Sequence, residues 1–283
     1  MGRNARLVAA VVGALAATGA RRSLDGTRSL ERTNFRGRTV SLAGGPALAV
    51  GASAAAALAA GRAEGGRPAA AALVAGLGAG LVGGYDDVVG GRPEQKTAKG
   101  FRGHLAALRE GRVTSGLVKI VGVGAAGLAA AALVDSGRAG RGRPAGRIVD
   151  VVLGAGVIAG SANLVNLLDL RPGRALKAGL LTGVPLALTR GTGGDLAAGA
   201  SGAAAALLPA DLGEEIMLGD AGANALGAVL GTAVVAGTGR LGRAGVLTGL
   251  VALTLASEKV SFTRVIERTP VLRELDALGR RTG

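Results

Sequence analysis

Blocks rich in Ala, Leu, Val and Gly, each of roughly 16 to 24 residues, alternate with short arginine-bearing segments along the chain, and that block length carries a helix across a hydrocarbon core. The blocks lie near 5–20, 39–61, 68–85, 114–134, 147–163, 175–189, 194–209, 221–238 and 244–260. In lipid a spanning segment must satisfy its own backbone hydrogen bonds. The pattern therefore predicts an all-α, polytopic integral membrane helix bundle, one domain over 1–283. Small residues suit it because they let helix backbones approach closely. The first block also has the length of a signal peptide, but RRSLDGTRSLERTNFRGR, which follows at 21–38, is a basic loop rather than a small-residue cleavage site.

Nine crossings put 21–38, 86–113, 164–174, 210–220 and 261–283 on one face. Counted to the nearest helix ends, that face carries 21 of the 33 Lys and Arg residues, which marks it as cytoplasmic and the N-terminus as external. The segment SGRAGRGRPAGR at 136–147 dissents, with Arg138, Arg141, Arg143 and Arg147 on the external face. Either the charge rule is broken there or a crossing is miscounted, so the bundle has about nine helices or ten.

Composition agrees with a membrane protein: 49% of the 283 residues are hydrophobic and the mean hydropathy is +0.42. Cysteine is absent, which excludes disulfides and thiolate metal sites. A net charge of +14 raises the question of nucleic acid. The arginines sit between apolar blocks, however, where topology and anionic head groups account for them, and no nucleic-acid partner is expected.

Acidic residues gather at the cytoplasmic ends of different blocks. Asp86 and Asp87 stand in GGYDDVVGG, Asp169 in NLVNLLDLRPGRALK, Asp220 in LGDAGANALG, and Glu214 and Glu215 just before it. Any one of them reads equally as a helix end in water. Together they offer hard oxygen ligands on one face, and Mg²⁺ binds through one or two carboxylates completed by substrate phosphates. The neighbouring glycines let backbone approach a diphosphate, and Lys96, Lys99 and Arg102 supply positive charge. Such a set suits phosphoryl transfer, where catalysis is mostly positioning and charge stabilisation.

The order GGYDDVVG, TAKGFRGHLAAL, NLVNLLD, LGDAGANALG resembles the polyprenyl-phosphate N-acetylhexosamine-1-phosphate transferase family, which includes phospho-N-acetylmuramoyl-pentapeptide translocase, across nearly the whole chain. The resemblance implies a multi-helix membrane enzyme of the bacterial cytoplasmic membrane, with its active site on the cytoplasmic face. It implies Mg²⁺-dependent transfer (Mn²⁺ being the alternative ion) of a sugar-1-phosphate from a UDP-sugar to polyprenyl phosphate for envelope glycan synthesis. UMP is released, and a homodimer is implied. By position, Asp86 and Asp87 match the family's aspartate pair, which binds or deprotonates the lipid phosphate. Asn166 and Asp169 match its Asn-x-x-Asp, associated with the nucleotide and the active site, and Lys99 matches the lysine of the following loop. Asp220 matches the main Mg²⁺ ligand, with Asp87 beside it.

Two departures stand out. After Asp169 the family continues with a second aspartate, whereas this chain reads Leu170, Arg171, Pro172, Gly173, Arg174. Arg171 and Arg174 then bind phosphate, or else begin a basic helix facing lipid head groups. The family's histidine loop is also missing: the one histidine, His104, lies five residues after Lys99, where it is either near phosphate or structural. In the loop's place stands SEKVSFTRVIERTPVLRELDALGRR, whose apolar spacing predicts interfacial helices broken at Pro270. Glu258, Lys259 and Arg264 are its candidates for substrate contact. The alternatives to an enzyme are a non-catalytic polyprenyl-carrier scaffold and a transporter or flippase, the latter predicting acids inside the spans rather than at their ends.

Overall fold

The computed structural model describes residues 3–61, 66–90, 92, 100–136 and 144–281. Helix α1 (Arg3–Leu24) is followed by a hairpin of β1 (Glu31–Thr33) and β2 (Thr39–Ser41), and then by α2 (Gly44–Ala60) and α3 (Arg67–Val89). The short α4 (Gly100–Arg109) leads into α5 (Ser115–Ser136), α6 (Pro144–Leu168), α7 (Arg174–Leu188), α8 (Thr192–Leu212), α9 (Gly219–Gly237) and α10 (Arg240–Ser257). Two short helices, α11 (Phe262–Arg268) and α12 (Pro270–Ala277), close the chain.

The described residues are 81% helical, as the apolar blocks predict. Among the described residues α1, α3, α5, α6 and α9 are long and apolar enough to cross a membrane, the pattern of a multi-pass membrane protein. A sixth crossing arises if α10 and α11, bent by 92°, are one broken span. That is fewer than the nine or ten read from the sequence. The blocks near 39–61 and 175–189 form helices of only 17 and 15 residues, α2 and α7.

Block 39–61 also begins differently from expectation. Thr39–Ser41 pair antiparallel with Glu31–Thr33 instead of starting a helix. The cause is the turn TNFRG. The Asn34 side-chain oxygen accepts the N–H groups of Arg36 at 2.9 Å and Arg38 at 3.0 Å, and Gly37 takes a left-handed φ of 77°, so the chain reverses and the β-branched residues after it pair back. Residues 137–143 of the dissenting arginine segment lie outside the described residues.

Successive long helices run in opposite directions. One end of the bundle is pinned by Arg6 of α1 to Asp195 of α8 at 2.7 Å, Arg240 of α10 to Asp150 of α6 at 2.7 Å, and Arg243 of α10 to Asp135 of α5 at 2.7 Å. Arg243 is only 1% exposed and also donates to the carbonyls of Asp150 and Val235. The guanidinium fork matches this crowded acceptor set, which is how a charge is tolerated at that depth.

At the centre lies α9, packed by α2, α3, α6 and α8. Its core is mostly alanine and glycine, so backbone proximity replaces side-chain interdigitation. A Cβ at Gly202 of α8 would land on the backbone of Ala10 of α1, and one at Gly199 on the backbone of Ala55 and Ala56 of α2. Gly202→Leu is therefore expected to push α1 from α8 and lower stability by about 1–3 kcal/mol, seen as a lower melting temperature of the purified protein in detergent.

Candidate active site

The other end of the bundle gathers the C-termini of α3, α6 and α8 and the N-termini of α5, α7 and α9. Two glycines let this happen. A Cβ at Gly83, one turn before the doublet, would strike the backbone carbonyl of Asp220, so α3 can lie directly on the start of α9. Gly219 has φ 59° and faces the Asp87 carboxylate, a position that suits glycine on both counts.

Asp87 uses both oxygens on α9: Oδ1 accepts the Asp220 N–H at 2.9 Å and Oδ2 the Ala221 N–H at 3.0 Å. It thus supplies the cap that Leu218, which has no side-chain acceptor, does not. Asp86 turns to α5 instead. Its Oδ2 meets Lys119 Nζ at 2.8 Å, Ser115 also hydrogen-bonds it, and the same ammonium reaches Asp220 Oδ2 at 2.5 Å. One cation therefore bridges a carboxylate from α3 and a carboxylate from α9.

Asp169 joins from the end of α6, where its N–H donates to the Asn166 carbonyl at 3.1 Å and its carboxyl accepts from the Gly219 backbone. Removal from water, and then the charges of Asp211, Asp220 and Asp87, push this carboxyl well above the usual carboxylate range. Asp211, at the end of α8, accepts the Gly173 N–H at 2.7 Å, which fixes the start of α7. So Asp86, Asp87, Asp169 and Asp220, drawn from three separate sequence motifs, meet at one place.

The remaining expected residues are distributed differently. Lys99 lies outside the described residues, and Arg102 falls in α4. His104 packs its ring against Gly116, with Nδ1 2.8 Å from Thr114 Oγ1. Thr114 Oγ1 in turn accepts the Leu117 N–H at 3.2 Å, so His104 braces the start of α5. Arg171 lies over the Phe35 ring at 4.5 Å and pairs with Glu267 at 3.7 Å. Arg174 is buried and turned away from the carboxylates: it forks onto Asp276 at 2.8 and 2.9 Å and donates to Thr263. Burial alone would raise Asp276, but hydrogen bonds from Arg174 and Arg280 hold it below its ordinary value. Glu258, Lys259 and Arg264 are exposed.

The hairpin forms a wall of the site. Ser41 pairs with the 215–217 backbone, and Glu214 anchors the turn. Its carboxylate accepts Asn34 Nδ2 at 2.6 Å and pairs with Arg36 at 3.1 Å. Glu214 has φ 55°, the only left-handed non-glycine among the described residues, and such strain persists where surroundings over-determine it. Between hairpin and the Asp169–Pro172 turn lies a cavity of about 210 Å³, walled by Phe35, Arg171 and Met217 with Asp169 and Asp211. An apolar cavity of about 710 Å³ lies nearby, between α7 and the end of α8 on one side and α11–α12 on the other.

Sequence reasoning missed Lys119 and Asp211. Lys119 carried a signal, a lone charge inside an apolar block, whereas Asp211 follows Pro209 and Ala210 with nothing to distinguish it from a helix end. Among the described residues no group of three or more His, Asp or Glu is arranged to hold a metal by itself. The pair Asp86 and Asp220 does fit a divalent ion completed by phosphate oxygens, because their oxygens already converge on one cationic nitrogen.

The raised Asp169 carboxyl has a stability consequence. A folded-state value above the unfolded 3.8 means the native protein holds this proton more tightly. Its contribution is thus lost as pH rises from the unfolded value through the folded one. Asp169→Asn should raise the melting temperature of the metal-free protein near pH 8 and leave it unchanged near pH 4, read by thermal scans at both. No protein-family model matches this chain, and no curated protein is significantly similar to it.

Proposed function

We propose that this protein is a bacterial cytoplasmic-membrane enzyme that transfers a sugar-1-phosphate from a UDP-sugar to a polyprenyl phosphate, releasing UMP, for envelope glycan synthesis. The observation that carries the reading is the convergence of Asp86, Asp87, Asp169 and Asp220 with Lys119 at one end of an apolar bundle. Carboxylates gathered at membrane depth are costly, and such groups are usually functional. In this reading the nine long helices all cross, and that end faces the cytoplasm.

Asp86 and Asp220 would hold Mg²⁺, which when bound neutralises diphosphate charge. Asp87 keeps α9 in place against α3, so that Asp220 is presented at a fixed depth. The polyprenyl phosphate oxygen forms a bond to the β-phosphorus of the UDP-sugar while the bond to the α-phosphate oxygen breaks, and UMP departs with that electron pair. The raised Asp169 carboxyl, beside the 210 Å³ cavity, holds or takes up the proton of the phosphate groups. That cavity suits the nucleoside: Arg171, held over the Phe35 ring, presents a positive charge and a flat guanidinium at its wall. The apolar 710 Å³ cavity suits the hydrocarbon of the carrier. A non-catalytic carrier-binding scaffold is the second reading, favoured by Pro172 standing where the resembled family has its second aspartate.

Purified protein with Mg²⁺, undecaprenyl phosphate and a panel of UDP-sugars should release UMP with at least one donor. Asp86→Asn and Asp220→Asn should each lower that rate about 10²-fold or more, the usual loss when a group stabilising transition-state charge is removed. Silence with every donor would favour the scaffold, and full turnover by either variant would discard the site.

A further inference from the structure

The ammonium of Lys119 lies between two carboxylates that the proposed reaction assigns to a metal. It meets Asp86 Oδ2 at 2.8 Å and Asp220 Oδ2 at 2.5 Å, and its side chain is only 22% exposed. A lysine at that depth needs counter-charge. Among the described residues both of its ion-pair partners are site carboxylates, so a metal taking those oxygens would leave the ammonium without a direct partner. Asp87 offers no substitute, since its two oxygens are engaged by backbone N–H groups of α9. Two arginines expected at phosphate are committed elsewhere: Arg174 to Asp276, Arg171 to Glu267 and the Phe35 ring.

We infer that Lys119 occupies the cation position of the substrate-free site and makes divalent-ion binding conditional on phosphate. This rests on the metal-dependent reading above. A bare divalent ion must expel the ammonium from between Asp86 and Asp220 and strand it in a poorly hydrated setting. A diphosphate arriving with the ion brings its own negative charge, gives Lys119 a new partner a short side-chain swing away, and completes the ion's coordination with phosphate oxygens. The ion therefore enters with the nucleotide diphosphate and not ahead of it. Lys119 is a positioning residue in the free protein that becomes a phosphate ligand in the loaded one.

The test reads binding rather than turnover. Titrations of Mg²⁺ into the full-length protein in detergent, alone and with UDP at saturating concentration, are followed by melting temperature and by calorimetry. For the native chain, half-effect with Mg²⁺ alone should need about tenfold or more metal than with UDP present, roughly the energy of one charge-assisted hydrogen bond. Lys119→Gln, which keeps an amide to hydrogen-bond the carboxylates but removes the charge, should bind Mg²⁺ alone about tenfold tighter and lose most of the UDP dependence. If Lys119→Gln does not fold, the native comparison of Mg²⁺ with and without UDP still decides. Equal metal affinity with and without UDP in the native chain overturns the inference, as does equal affinity of native and Lys119→Gln for Mg²⁺ alone. A separate control addresses the underlying reading: if Asp86→Asn and Asp220→Asn respond to Mg²⁺ and UDP like the native chain, the metal does not bind there and the proposed site itself falls.

Discussion

The carboxylate of Asp87, held between the N–H groups of Asp220 and Ala221, is the contact on which the rest of the site depends. An α-helix beginning inside a bundle leaves its first N–H groups without partners, and water is scarce there to satisfy them. The helix in question is the central one, so misplacing its start would displace everything packed around it. Because the cap comes from α3 and not from the residue preceding α9, it also locks two helices in register. Gly83 makes the approach sterically admissible, and the left-handed Gly219 turns the backbone so that both N–H groups point at one carboxylate.

The two ends of the bundle handle charge in opposite ways. At one end Arg6, Arg240 and Arg243 each meet an aspartate, and Arg243 adds backbone carbonyls, so the guanidinium donors are largely consumed in tying helices together. At the other end acids outnumber the bases that reach them: Lys119 is shared by two carboxylates, and Asp169 stands near Asp211 and Asp220. Local excess of one sign is destabilising in a low-dielectric setting unless something cationic arrives. The C-terminal segment adds to the contrast. Arg174 and Lys177 fasten it through Asp276 and the carbonyls of Leu275 and Leu278, and Arg280 through the Pro172 carbonyl, which keeps those basic groups away from the acidic cluster.

Much of this was readable from the sequence, for identifiable reasons. Asp86, Asp87, Asp169 and Asp220 interrupt apolar blocks at their ends, and alternation of helix direction is enough to bring such interruptions together. The apolar helices at the C-terminus, broken at Pro270, were likewise visible in the spacing of Val265, Ile266, Leu272 and Leu275. What stayed hidden depended on partners distant in sequence. Thr39–Ser41 look like the start of an apolar block until Glu31–Thr33 pair with them. Arg174 looks like a phosphate ligand until Asp276 claims it. Length and hydropathy single out fewer crossings than the blocks do, because alanine and glycine count as apolar in a block while giving short or weakly hydrophobic helices such as α2 and α8.

The adjacency of Asp86 and Asp87 carries one more meaning. Neighbours on an α-helix point about 100° apart, so a doublet cannot be two fingers of one hand: one member looks at α5 and the other at α9, as their partners Lys119 and the Asp220 N–H show. The pair is a hinge-pin between two neighbours rather than a double dose of charge, and its order matters. Separating the acids by a single residue would set them about 160° apart and leave one carboxylate facing lipid or solvent. A sequence doublet in this setting therefore records the angle at which three helices meet.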